Sequence, residues 1–131
     1  MATWEDVERI AGALPEVERR GSHDGNPAWY VRGTMFVWDR PLRASDRAHL
    51  GPDAPTGSIL GARVADEGAK RALCASAPDR FFTTPHFDGY AAVLVQLDRI
   101  PVDELEELVE EAWLLRAPKR LAAAYLADRS S

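Results

Sequence analysis

The chain reads as an α+β domain, an antiparallel β-sheet with helices packed on one face, in the order α-β(3-4)-α-β(2)-α-α. Three observations predict this class. Apolar residues recur at helical spacing near both ends of the chain: Trp4, Val7, Ile10, Ala11 and Leu14, then Leu105, Leu108, Val109, Ala112 and Leu115. Between them, two stretches read as β-hairpins: residues 28–32 and 35–38 around Gly33-Thr34, and residues 81–84 and 91–97 around 85–90. Long parallel crossovers are absent, which leaves helices packed on an antiparallel sheet.

Residues 3–14 form the first helix. Thr3 caps it, Glu5 and Asp6 sit in the first turn where the helix dipole favours acids, and Pro15 stops it. Residues 17–20 are a short strand and 21–27 a polar turn. In the first hairpin, Trp29 and Val31 share one face, Tyr30 and Arg32 the other. Residues 39–57 read as a polar loop carrying Pro41, Pro52 and Pro55. That is longer than the roughly 12 to 15 residues usual for an unstructured connection. It reads as mobile, with a functional flap as the alternative. A strand follows over 58–64. Asp66 then caps a helix running to Ser76, with Ala69, Ala72 and Leu73 inward and Cys74 beside them as a buried, inert thiol.

The second hairpin is the most distinctive stretch. Phe81, Phe82, Thr83 and Thr84 favour a strand, Pro85 removes a donor and ends it, and Asp88-Gly89 signals a turn. Residues 91–97 are apolar on both parities until Gln96, which predicts an interior strand covered on both faces. Asp103 with Glu106 resembles a capping box opening the third helix, which Arg116 closes. Pro118 suits the first position of a final helix running to Leu126.

A chain of 131 residues points to one domain over residues 1–131. The lone Cys74 excludes an intramolecular disulfide and fits a reducing compartment. The acidic start has no signal-peptide character, and no apolar run approaches the roughly 20 residues of a membrane span. The expectation is a cytoplasmic protein with no membrane partner. Sixteen basic against 21 acidic residues give a net charge of −5, which argues against a dedicated nucleic-acid binder.

Three segments carry a family resemblance. The first is Phe82-Thr83-Thr84-Pro85-His86-Phe87-Asp88-Gly89-Tyr90, followed by Val93-Leu94-Val95. The second is Gly25-Asn26-Pro27-Ala28-Trp29-Tyr30-Val31-Arg32-Gly33 with Met35-Phe36, and the third Ala112-Trp113 with Arg116-Ala117-Pro118-Lys119-Arg120-Leu121. In this order they resemble the MmcQ/YjbR family over most of the chain. The resemblance implies a small CyaY-like, double-wing α/β domain. It also implies DNA binding, the label many members carry, and it brings no catalytic motif.

Two sets of residues are candidates for function. Arg32, Arg40, Trp29, Trp38, Arg116, Lys119 and Arg120 could meet nucleic acid, since Arg beside aromatics suits phosphate contact and base stacking. Arg19, Arg20, Arg43 and Arg47 extend that basic region. The competing reading makes the aromatics core and pairs the cations with carboxylates and helix ends. Thr83, Thr84, His86, Asp88 and Tyr90 could line a polar pocket at the hairpin mouth, for a small ligand, a protein partner or a reaction. The structural reading has Asp88 bonding its own turn and His86 satisfying a buried carbonyl. His86 and Asp88 lack a third metal ligand, and no HExxH motif or cysteine pair occurs. Ser22-His23-Asp24 reads as a turn, since triad members meet from distant positions. No phosphate-binding glycine loop or nucleophile elbow occurs. The sequence therefore assigns no catalytic residue, metal or cofactor, and the expected state is a monomer or weak dimer.

Overall fold

The computed structural model describes residues 1–22 and 24–129. Helix α1 (Trp4–Gly12) begins where the sequence places it. Thr3 Oγ1 accepts from the Asp6 N–H at 3.3 Å, and Asp6 Oδ2 accepts from the Thr3 N–H at 2.9 Å, so two orphan donors are satisfied reciprocally. Val7 and Ala11 are the buried residues of its inner face.

The strands are β1 (Val17–Gly21), β2 (Pro27–Val31), β3 (Thr34–Asp39), β4 (Ile59–Arg63), β5 (Phe81–Phe82) and β6 (Ala92–Gln96). They form one sheet in the order β1-β2-β3-β4-β6-β5, with every neighbouring pair antiparallel. The interior strand predicted from the apolar run is β6, held between β4 and β5. Its side chains alternate faces: Val93 and Val95 enter the larger core, Ala92 and Leu94 the smaller. Ile59 and Leu60 of β4 divide in the same way.

The first hairpin turns one residue earlier than its sequence suggests. Val31 pairs with Thr34, which leaves Arg32 (φ 47°) and Gly33 (φ 81°) as the two-residue loop. Both left-handed angles match a type I′ turn, whose twist suits the flanking strands. Arg32 is thus a turn residue, not a strand residue sharing a face with Tyr30. A register shift opposite Trp29 and Tyr30 makes Phe36 an extra residue of β3, so Phe36 and Val37 both enter the larger core.

Three of the remaining helices follow the sequence with amended faces. In α3 (Glu67–Ser76), Asp66 Oδ1 accepts from the Ala69 N–H at 2.8 Å as the predicted cap. Its buried residue, however, is Lys70, while Ala72 is exposed and Cys74 half-buried. Helix α4 (Val102–Arg116) starts at Pro101 without a side-chain cap, so the Asp103–Glu106 capping box does not form. Trp113 is fully buried in it and Leu115 is exposed, the reverse of the stripe expected at that end. Helix α5 (Lys119–Arg129) follows Pro118.

Residues 39–57 depart most from expectation. They contain helix α2 (Ala44–Leu50) and a 3-10 turn, Gly51–Asp53. The Arg43 N–H donates to Asp46 Oδ2 at 2.9 Å, and this closes the first turn. Helices α1, α3, α4 and α5 contribute to the larger core on one sheet face. The other face carries a smaller cluster of Ala28, Trp38, Ile59, Phe87, Ala92 and Leu94, with Leu42 packed against it. Among the described residues, no helix is long and apolar enough to cross a membrane.

Candidate functional site

The sheet face away from the four helices carries a cleft of about 230 Å³. Trp38, Phe87, Met35 and Ala92 give it an apolar floor. The Trp38 and Phe87 rings lie 6.5 Å apart, tilted by 37°. Trp38 lies against the backbone because position 61 is glycine: a Cβ there would meet the indole Cε2 at 2.3 Å. Arg43, Arg63, His86 and Tyr90 surround this floor, with Ser22 and Asp24 at the far side.

The 3-10 turn Pro85–Phe87 forms one wall. Pro85 suits its first position, and the Phe87 N–H donates to the Thr84 carbonyl at 2.9 Å. Gly89 (φ 82°) supplies the left-handed residue that returns the chain to β6. The Phe87 carbonyl accepts from Lys70 Nζ at 2.8 Å, and Lys70 also pairs with Glu67 at 2.9 Å. Lys70, buried in α3, thus has the role expected of His86. His86 itself is exposed and sits edge-on to Phe87 with ring centres 4.9 Å apart.

Residues 39–57 contribute a second wall. Arg40 is 4% exposed, forms a 3.0 Å ion pair with the equally buried Asp46, and lies 5.2 Å over the Phe87 ring. Burial alone would push the Asp46 carboxyl up, but the Arg43 N–H and the Arg40 guanidinium outweigh it and hold the group below its usual range. The pair therefore ties the start of this segment to α2, with Phe87 beneath the guanidinium.

Arg63 differs from the other cations of the cleft. Arg43 pairs with Asp24 at 2.9 Å, whereas no described carboxylate pairs with Arg63 and its buried Nε has no described hydrogen-bond acceptor. Burial, then the like charge of Arg116, pulls the Arg63 guanidinium down from its ordinary pKa, while the Tyr90 hydroxyl opposes this. Leaving a charged donor buried without an acceptor costs on the order of 1 to 3 kcal/mol or more. Asp39 also borders the cleft, and burial pushes its carboxyl up.

The structure separates the predicted site residues. Of the pocket set, His86 and Tyr90 line the cleft, while Thr83, Thr84 and Asp88 do not. Of the nucleic-acid set, Trp29 is 2% exposed, stacks on Trp4, and donates its indole N–H to Glu8 at 3.0 Å. Trp38 and Arg40 are buried too, and Arg32 holds Glu16 through two hydrogen bonds of 2.6 and 3.0 Å. These four present no exposed aromatic-basic surface. Arg116, Lys119 and Arg120 are exposed and make no ion pair among the described residues. His23 lies outside the described residues. Burial pushes the half-buried Cys74 thiol up, away from thiolate reactivity. Sequence reasoning missed Arg63, Lys70 and Asp46. Only Arg63 left a signal, since it shares a parity with Ile59 and Gly61 and so belongs to the cleft face.

A second, larger groove of about 380 Å³ runs between α3 and α4. Its polar groups include Glu104, Glu107 and Glu111 on α4. Among the described residues, no three His, Cys, Asp or Glu side chains are grouped to hold a metal ion.

Comparison with known proteins places this geometry in a family. A family model described as YjbR matches residues 12–115. The uncharacterized proteins Mb2600 of Mycobacterium bovis and Rv2570 of Mycobacterium tuberculosis are each 53% identical over 131 residues, covering 98% of this chain and 98% of the relative. The crystal structure of Deinococcus radiodurans protein DR2400, a DUF419 domain, superposes with a TM-score of 0.64 at 19% identity, over 88% of this chain and 78% of that one. That likeness supports the fold.

Proposed function

The chain belongs to the YjbR family, and from that fold and the geometry of the cleft we propose that it is a small-molecule-binding module whose ligand lies on Trp38 and Phe87. The observation that carries this reading is the pairing of an apolar aromatic floor with a few convergent polar groups at the rim. Ligand clefts commonly combine these two features. The volume is below the roughly 300 to 1,000 Å³ of clefts for drug-sized ligands, which favours a compact occupant of one or two rings. The floor is also built in advance. Gly61 seats the indole, Lys70 fixes the Phe87 carbonyl, and the Arg40–Asp46 pair secures the neighbouring segment, so little ordering remains to oppose binding.

The test is a fragment titration followed by two-dimensional ¹H–¹⁵N NMR, reading the Trp38 indole and the Tyr90 and His86 amides. Bicyclic aromatic fragments should shift these signals in a saturable way and leave the Trp113 indole unmoved. A panel that shifts other regions and never Trp38 would refute the reading.

DNA binding is a second reading, favoured by the exposed Arg116, Lys119 and Arg120 at the junction of α4 and α5. Three phosphate contacts would give a modest, strongly salt-dependent affinity. Anisotropy with labelled single- and double-stranded DNA should then show binding at low salt that weakens at physiological salt and in Arg120→Glu. A flat titration at low salt removes this reading without touching the cleft.

A further inference from the structure

We propose that Arg63 is an anion anchor, so that the cleft takes planar aromatic compounds carrying a carboxylate or phosphate group. This rests on the small-molecule reading above and deepens it.

The geometry supplies the two halves of such a ligand's site. Trp38 and Phe87 offer ring surface, and the Arg63 guanidinium and Tyr90 border the same cavity. A guanidinium presents five N–H donors in a planar fork suited to a carboxylate or a phosphate. In ordinary sites a half-buried Arg finds a carboxylate, as Arg80 finds Glu104 in this chain. Arg63 finds none among the described residues, and the like charge of Arg116 acts against its own. Asp24 and Asp39 line the same cavity, but no described carboxylate pairs with Arg63, so its guanidinium brings an unneutralised positive charge to the cleft. An anion there would satisfy the buried Nε and relieve the repulsion between the two arginines. A neutral ligand would use the floor alone.

The anion could be a carboxylate or a phosphate, and the probes separate them. Isothermal titration calorimetry at low salt and neutral pH would compare 1-naphthoate, 1-naphthyl phosphate, neutral 1-naphthol and inorganic phosphate, with the Trp38 indole signal reporting location. At least one of the two aromatic anions should bind tenfold or more tightly than 1-naphthol, and the tighter one names the group. Inorganic phosphate should bind weakly, lacking the ring. Arg63→Met, which keeps the aliphatic stem, should abolish the preference by weakening the anions far more than 1-naphthol. Arg116→Gln should reduce the preference partly.

Equal affinities for 1-naphthol and both anions, measured on the unaltered protein, would overturn the anchor while the cleft reading stands. A preference that survives Arg63→Met would also overturn it. Failure of all three aromatic probes to shift Trp38 would overturn both.

Discussion

At the scale of single residues, the cleft depends on one absent methyl group. Trp38 lies on Gly61, where an added Cβ would approach the indole Cε2 at 2.3 Å and Nε1 at 2.6 Å. Those contacts cannot be accommodated by a rigid bicyclic ring without moving it. Gly61→Ala should therefore cost about 1 to 3 kcal/mol, the range for overpacking a well-filled site. A lowered urea midpoint together with a displaced Trp38 indole resonance would check it. Gly12→Ala is the contrast. Position 12 is helical with open space around it, so that change should leave the indole resonance unmoved and the urea midpoint unchanged or slightly raised. If Gly61→Ala were equally silent, Trp38 would have another way to lie and the floor would not be fixed.

At the scale of elements, the decisive feature is the short helix α2 and its buried ion pair. Arg40 and Asp46 are 4% and 2% exposed, and taking either charge away leaves the other buried alone. Asp46→Asn should then cost about 3 to 5 kcal/mol at neutral pH, whereas the paired change Arg40→Met with Asp46→Leu should cost far less. The pH dependence has a definite sign. The Asp46 carboxyl titrates below its ordinary value of 3.8 in the folded chain, so its stabilisation is complete well above pH 4 and is lost as pH falls through the folded value. The gap in urea midpoint between the unaltered protein and Asp46→Asn should thus be wide at pH 7 and narrow below pH 4. A gap of constant width would assign the loss to packing. The same element shows where sequence reading stopped. Pro41, Pro52, Pro55 and a polar composition mask seven helical residues, and a buried carboxylate carries no mark in the sequence of the cation that pairs with it. Lys70 is hidden for the same reason.

At the scale of the whole molecule, the interior of the sheet was legible because both faces of β4 and β6 are buried. The two-parity apolar run of residues 91–97 has only one comfortable place, an interior strand, and the alternation in β4 and β6 then sorts two cores. The cleft was not legible, because its parts meet only through the pairing of β4 with β6 and the return of residues 40–43 over that face. Helix α5 packs only on the margin of the larger core, through Leu121, Ala122 and Tyr125. It lies beyond residue 115, where the family match ends, and none of its described residues is fully buried. Its main hold is Tyr125, which meets the buried Trp113 edge-on with ring centres 4.9 Å apart and donates its hydroxyl to Glu110. Trp113 keeps a second tie, its indole N–H donating to the Pro15 carbonyl at 3.1 Å. A chain truncated after Ala117 should consequently still fold cooperatively, with both cores intact. Its stability should drop by about 2 to 4 kcal/mol, from the lost partial burial of Leu121 and Tyr125 and the lost aromatic pair. Tyr125→Ala alone should reproduce about half of that drop in a urea titration. Complete unfolding of the truncated chain would mean that α5 closes the larger core. An unchanged midpoint would mean that Trp113 is held by Pro15 and the sheet alone.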